Sequence, residues 1–154
     1  MRLIQTCGDL SVFHLEKREK HLLIEVLKLY PRLPPAHQRL SKAGSVPDPE
    51  ASQHLLDEAL AEQRQENKKQ LEALLAAPYR FRETQAGCHL SLSSSELEWL
   101  LQILNDIRVG SWVRLGSPEK KIQELNEQTA ADIWAMELAG FFQMELLGAI
   151  DSKS

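Results

Sequence analysis

Three features of the 154-residue sequence predict an α+β fold that is mostly helical. Two short segments alternate with period two around a turn, and four longer segments carry apolar residues at helical spacing. The order hairpin, helix, connection, long helix then occurs twice along the chain.

The first hairpin spans the opening fifteen residues. Arg2 to Thr6 alternates weakly, Cys7-Gly8-Asp9 is turn chemistry, and Leu10 to Leu15 carries the β-preferring Val12 and Phe13. From Glu16 the period lengthens. Leu22, Leu23, Val26, Leu27 and Tyr30 share one helical face, and Pro31 stops it. Residues 31–47 hold four of the seven prolines, with Arg32, Arg39 and Lys42 and no acid. The stretch reads as a flexible, solvated Pro-rich connecting loop, with a binding loop as the alternative.

Asp48-Pro49-Glu50 starts the second helix with an N-cap acid, a proline at the first helical position and an acid in the first turn. The pattern runs to Ala77, about 42 Å at 1.5 Å per residue. Pro78 ends it. Tyr79 to Glu83 and Cys88 to Leu92 alternate around Thr84-Gln85-Ala86-Gly87, a second hairpin. Ser93 and Glu96 form a capping box for a third helix reaching Leu115. Gly116-Ser117-Pro118 ends that helix and opens a short one, and Thr129 and Asp132 are the expected cap of a last helix reaching Ile150. The tail after it reads as frayed.

Leu15 and Leu92, Glu19 and Glu96, Leu23 and Leu100, and Leu27 and Leu104 recur at one offset, with Ile4 on Phe81. The expectation is a single domain, 1–154, with an internal pseudo-repeat of 1–77 and 78–154. Its two hairpins join in one small antiparallel sheet packed by the four main helices.

Composition narrows the function classes. Eighteen basic against 22 acidic side chains give a net charge of -4, so no general attraction to phosphate favours nucleic acid. That role would rest on Arg32, Arg39 and Lys42 and on Tyr79-Arg80-Phe81-Arg82 alone. Two cysteines cannot build a disulfide framework, although Cys7 and Cys88 sit near the turns of matching hairpins and could meet. No apolar run is expected to match a bilayer span, and the first residues lack a signal-peptide core, so the expected location is cytoplasmic, without a membrane partner. The five histidines show no metal-ligand spacing, and His14 and His89 become neighbours only if the hairpins pair. With no catalytic motif present, no catalytic residue, metal or cofactor is expected, and the reading leans away from an enzyme.

Charged residues nevertheless interrupt the apolar stripes. Arg108 falls on the row of Leu97, Leu101, Leu104 and Leu115. Gln63, Arg64 and Asn67 fill the middle of the stripe made by Leu56, Leu60, Leu71 and Leu74, and Glu145 stands among Trp134, Leu138 and Phe142. A charge on an apolar face must be paired or reach water. Glu145 is therefore the expected partner of Arg108 or Arg64, with Asn67 and Asn105 satisfying the remaining donors, and loss of Arg108 should destabilise the fold. A cluster that fixes helix register and an anion-binding pocket both remain open. Trp99, Val109 and Val113 stand on the other side of the third helix, and Ile133, Met136, Gly140 and Leu147 form a second stripe on the last. That helix is either central or shared with a second subunit.

The stretch Leu104-Asn105-Asp106-Ile107-Arg108, followed after a short interval by Arg114-Leu115-Gly116, resembles the signature of an uncharacterised bacterial family. The family is catalogued as domain of unknown function, number two-zero-one-seven. Asn105, Asp106, Arg108, Arg114 and Gly116 match by position, Glu62 and Arg64 match an upstream Glu-x-Arg, and Trp134 and Gln143 match the final helix loosely. Gln63 and Gln65 stand where the family has Phe and Arg, and Trp112 and Val113 replace smaller or polar residues. The resemblance implies no established activity. Together these readings point to an intracellular regulatory or protein-interaction domain. Its motif cluster would be Glu62, Arg64, Asn67, Asn105, Asp106, Arg108, Arg114 and Glu145. Trp99, Val109, Val113 and Met136 would meet an unknown protein or a second copy. The alternative is a site in which Arg64, Arg108 and Arg114 clamp an acidic small molecule.

Overall fold

In the computed structural model, which describes residues 1–34, 48–119 and 125–152, both hairpins form. Strands β1 (Arg2–Cys7) and β2 (Leu10–Leu15) turn at Gly8, whose φ of 60° costs glycine nothing. Strands β3 (Phe81–Thr84) and β4 (Gly87–Ser93) make the second pair. The hairpins join through β2 and β4 into one antiparallel sheet of order β1-β2-β4-β3.

At the centre of that junction Phe13 faces Leu90, with Leu10 opposite Ser93 and Leu15 opposite Cys88. The two hairpin turns consequently lie at opposite ends of the sheet. Cys7 is exposed at one end and Cys88 buried at the other, which corrects the expectation that the thiols approach each other. Burial pushes the Cys88 thiol up, so it stays protonated and inert. Alternation sends Ser11, Phe13, Leu15, Cys88, Leu90 and Leu92 inward. Val12, His14, His89 and Ser91 occupy the other face and keep partial access to solvent.

The helices pack on the inward face. Helix α1 (Lys17–Leu27) buries Leu23, Val26 and Leu27. Helix α2 (Pro49–Ala76) begins as its sequence demands, the Asp48 carboxylate accepting from the Ala51 amide at 3.3 Å. It buries only Leu71 and Leu74, near its C-terminal end. Helix α3 (Ser94–Arg114) starts on the expected capping box: the Glu96 amide donates to Ser93 Oγ at 3.2 Å, and the Ser93 amide to Glu96 Oε1 at 2.9 Å.

Helix α4 (Glu127–Asp151) starts differently from expectation. Asn126 is its N-cap and Thr129 completes the reciprocal pair, each side chain taking the other's amide at 2.9 Å. Asp132 lies inside the helix and is buried. The short helix expected after Pro118 and most of the Pro-rich loop, with Arg39 and Lys42, fall outside the described residues.

The most extensive helix contact is between α3 and α4. Leu97, Leu100, Leu104 and Ile107 bury against a face of α4 whose Ala135 and Ala139 let the axes approach around Phe142 and Leu146. Each leucine so buried contributes about 2 kcal/mol. By length and composition α4 could also cross a membrane, the one described helix that departs from the expectation of no such run. Its buried face is shared with the rest of the core.

One ion pair ties the sheet to the helical layer. Arg80, 8% exposed, donates to the Ser91 carbonyl at 2.7 Å and grips the Glu96 carboxylate at 2.9 and 2.6 Å. Burial alone would raise the Glu96 carboxyl, but hydrogen bonds from the Ser93 amide and Arg80 outweigh it and hold the group below the ordinary glutamate range. A carboxyl lowered on folding contributes stability above its unfolded pKa and loses it as pH falls through the folded value. Acid titration of unfolding free energy should therefore show a step below about pH 4.3. In Glu96→Gln that step should shrink; identical profiles for both proteins would remove this assignment.

Candidate functional site

After α1 the chain crosses the surface of α3, and the polar residues of the two long helices converge on that crossing. The segment Tyr30–Pro34 carries backbone donors that no regular element satisfies. Asp106 supplies the acceptor: its Oδ1 takes the amides of Arg32 at 2.7 Å and Leu33 at 3.1 Å. One turn further along α3, Gly110 lets the segment lie close. A Cβ there would sit 2.4 Å from the Arg32 carbonyl carbon, a distance no side chain tolerates.

Helix α2 closes over the other side. Arg64 donates to the Leu33 carbonyl at 2.5 Å. Asn67 donates to the Tyr30 hydroxyl at 3.0 Å and accepts from the Trp99 indole and from Gln63, each at 3.0 Å. Burial pushes the Tyr30 phenol up, against the opposing pull of its Asn67 hydrogen bond. A cleft of about 210 Å³ remains here, lined by Tyr30, Leu33, Arg64, Asn67 and Asp106 among others.

The segment is anchored most firmly by the Arg32 side chain. Its guanidinium reaches Asp132 Oδ1, and Arg114 Nε donates to the same oxygen at 2.9 Å. Asp132 is 2% exposed. Two guanidiniums thus balance one buried carboxylate, joining the crossing segment, α3 and α4 at one atom. An isolated carboxylate at that depth would cost many kcal/mol, whereas this one is paired twice.

The polar layer anticipated from the helix stripes is present, with different members. Arg64, Asn67 and Asp106 meet at the crossing, and Arg114 meets Asp132. Arg108 is not buried against Glu145. Its stem passes Gly140, whose missing Cβ would lie 3.7 Å from Arg108 Cδ, and its exposed head donates to Asn105 at 3.1 Å. A methyl at Gly140 would only touch the stem at ordinary contact distance, and the guanidinium reaches water at the exposed edge of α3. Glu145 lies instead near the Met1 ammonium, whose charge it favours, and pairs with neither arginine. Glu62 is exposed on α2. Arg64, Arg108 and Arg114 therefore occupy three separate places and do not converge as a clamp.

Of the residues expected at an interface, Trp99 is partly buried against the core and turned to Asn67, while Val109 and Val113 are partly buried. Met136 lines an open groove of about 640 Å³ beside Arg108, Gly140, Phe141, Met144 and Leu147. Two members of the polar layer escaped the sequence reading. Arg32 stands in a loop, where periodicity says nothing. Asp132 resembles a cap residue, yet its spacing to Ala135, Ala139 and Phe142 already puts it on the buried face.

Among the described residues no group of three or more His, Cys, Asp and Glu could hold a metal ion. No family model, curated protein or solved structure matches the chain.

The geometry separates two arginines that look alike in sequence. Asp132→Ala strands the buried Arg32 guanidinium and should cost about 3 kcal/mol or more in denaturant unfolding, while the half-exposed Arg114 turns to water. Arg108→Ala should change stability by no more than about 0.5 kcal/mol. Equal losses for the two variants would show that the carboxylate is not the anchor. Gly110→Ala should lower the melting temperature by several degrees, because the crossing segment must lift off α3 to admit the methyl.

Proposed function

We propose that the chain is a non-enzymatic interaction domain that pairs with a second copy of itself through the outer face of α4. The observation that carries the reading is the two-sided apolar character of that helix. One face is fully used against α3. On the outer side Met144 is 74%, Leu147 47% and Phe141 43% exposed, around the groove floored by Met136 and Gly140. Contiguous apolar surface of this kind is costly to leave in water and marks a contact.

The rim favours a second copy as the occupant. Arg108 and Glu137 both border the groove, so one patch offers both signs of charge. A symmetric contact presents each patch to its own copy, and with the two-fold axis between Arg108 and Glu137 each charge meets the opposite one. A partner of one sign would leave Arg108 or Glu137 opposed by a like charge. On this reading the stretch from Asn105 to Gly116 encodes a scaffold. Asp106 holds the crossing segment, Arg114 balances Asp132, and Arg108 borders the contact. An exposed, unbridged Cys7 suits a reducing intracellular setting.

Sedimentation velocity over a concentration series tests the proposal. The parent chain should associate to a dimer, and Met144→Glu should weaken that dimer by about thirtyfold or more while leaving the circular dichroism spectrum and melting temperature unchanged. A chain that stays monomeric at high micromolar concentration would sink the reading.

A further inference from the structure

The sheet carries a second feature, independent of the α4 face. Residues directly opposed in an antiparallel pair lie on one side of the sheet. Arg2 is opposite His14, His14 opposite His89, and His89 opposite Arg82. The four therefore form a single row across all four strands, on the face turned away from Phe13 and Leu90. At about 4.8 Å between neighbouring strands the row spans about 14 Å.

The row is accessible and carries one sign. Arg2 and Arg82 are exposed, and both histidines are partly so. Neither arginine has an ion-pair partner among the described residues. The imidazoles meet edge to face, with ring centroids 5.7 Å apart and planes at 77°. Two nearby acids, Glu83 and Glu19, are engaged elsewhere, whereas Glu16 lines a recess with Arg2 and His14. Glu83, next to Arg82, turns to the other face and holds Lys20 at 2.5 Å. Glu16 and Glu19 border a recess with Arg2 and His14, where the Glu19 carboxylate takes the Met1 ammonium and the Glu16 amide. In a chain of net charge -4, such a row is not a consequence of overall composition.

We propose that this row binds a linear oligophosphate. Guanidinium forks at the two ends suit phosphoryl oxygens, and imidazole N–H groups between them supply further donors. A divalent cation is disfavoured by the flanking guanidiniums. A chain of three phosphoryl groups is shorter than the row, but the long arginine side chains can meet it from both ends, and it offers them more oxygens than a single phosphate does. A nucleic-acid strand fits less well, because the net negative charge opposes a long polyanion.

Calorimetric titration of the full chain with tripolyphosphate, ATP, orthophosphate and oligothymidylate tests this. Tripolyphosphate should bind at least about tenfold more tightly than orthophosphate and shift the His14 and His89 imidazole resonances. Arg82→Glu, at an exposed position, should weaken binding by about tenfold or more, and Arg2→Ala should weaken it in the same direction. ATP binding as tightly as tripolyphosphate would identify the phosphate tail of a nucleotide as a source, and markedly weaker ATP binding the free oligophosphate; either supports the site. The proposal is overturned by the absence of binding at millimolar tripolyphosphate, by affinity unchanged in both folded variants, or by oligothymidylate binding more tightly than tripolyphosphate.

Discussion

A single buried carboxylate sets the terms for much of the helical layer. Asp132 sits on the face of α4 that enters the core, where its charge is tolerable only with partners close at hand. Those partners come from two directions: Arg114 from the end of α3 and Arg32 from the segment beyond α1. The segment can reach Asp132 only by lying flat on α3, which Gly110 permits and Asp106 enforces through two backbone amides. Remove the charge, and the reason for that path weakens. The remaining contacts, from Arg64 and Asn67, then close α2 onto a segment already placed.

This dependence explains which parts of the structure were legible in the sequence. Strands, helices and their starts are set by neighbours within a few positions, and local rules suffice for them. Asp48-Pro49, the Ser93–Glu96 box and the alternation around Phe13 and Leu90 all fold as their spacing requires. The joining of two hairpins into one sheet followed from the same pattern. The polar layer obeys a different rule. That charges would sit among apolar residues was visible from the helical period, because period assigns a face. Which charges pair was not, because pairing depends on where a loop goes. Arg32 lies 100 positions before Asp132, and nothing in the spacing joins them.

Arginine illustrates the point within one helix. Arg108 and Arg114 lie less than two turns apart on α3, and the helical period puts Arg108 on the apolar stripe. Their fates diverge because of what α4 presents to each. Beside Arg108 lies Gly140, which offers no charge, and the long side chain ends in solvent. Near Arg114 is a buried carboxylate, and the side chain is drawn in to it. A stripe drawn on one helix predicts where a side chain starts; the neighbouring helix decides where it ends.

The same reasoning bears on α4 itself. A helix apolar all round must be enclosed, and in a chain of this size enclosure can come from the domain or from outside it. The domain covers the Ala135–Ala139–Phe142 face and leaves Phe141, Met144 and Leu147 largely in water. Had the structural need been only a core helix, polar residues on that outer face would satisfy it and keep the chain soluble. Their place is mostly taken by Met136, Phe141, Met144, Leu147 and Gly140, with Gln143 beside them and one charge of each sign at the border. Packing of the single chain gives that outer face no role, and the same holds for the sheet's exposed basic row. Packing accounts for the inner surfaces of both layers, and the self-contact and the anion row are proposals for the outer ones.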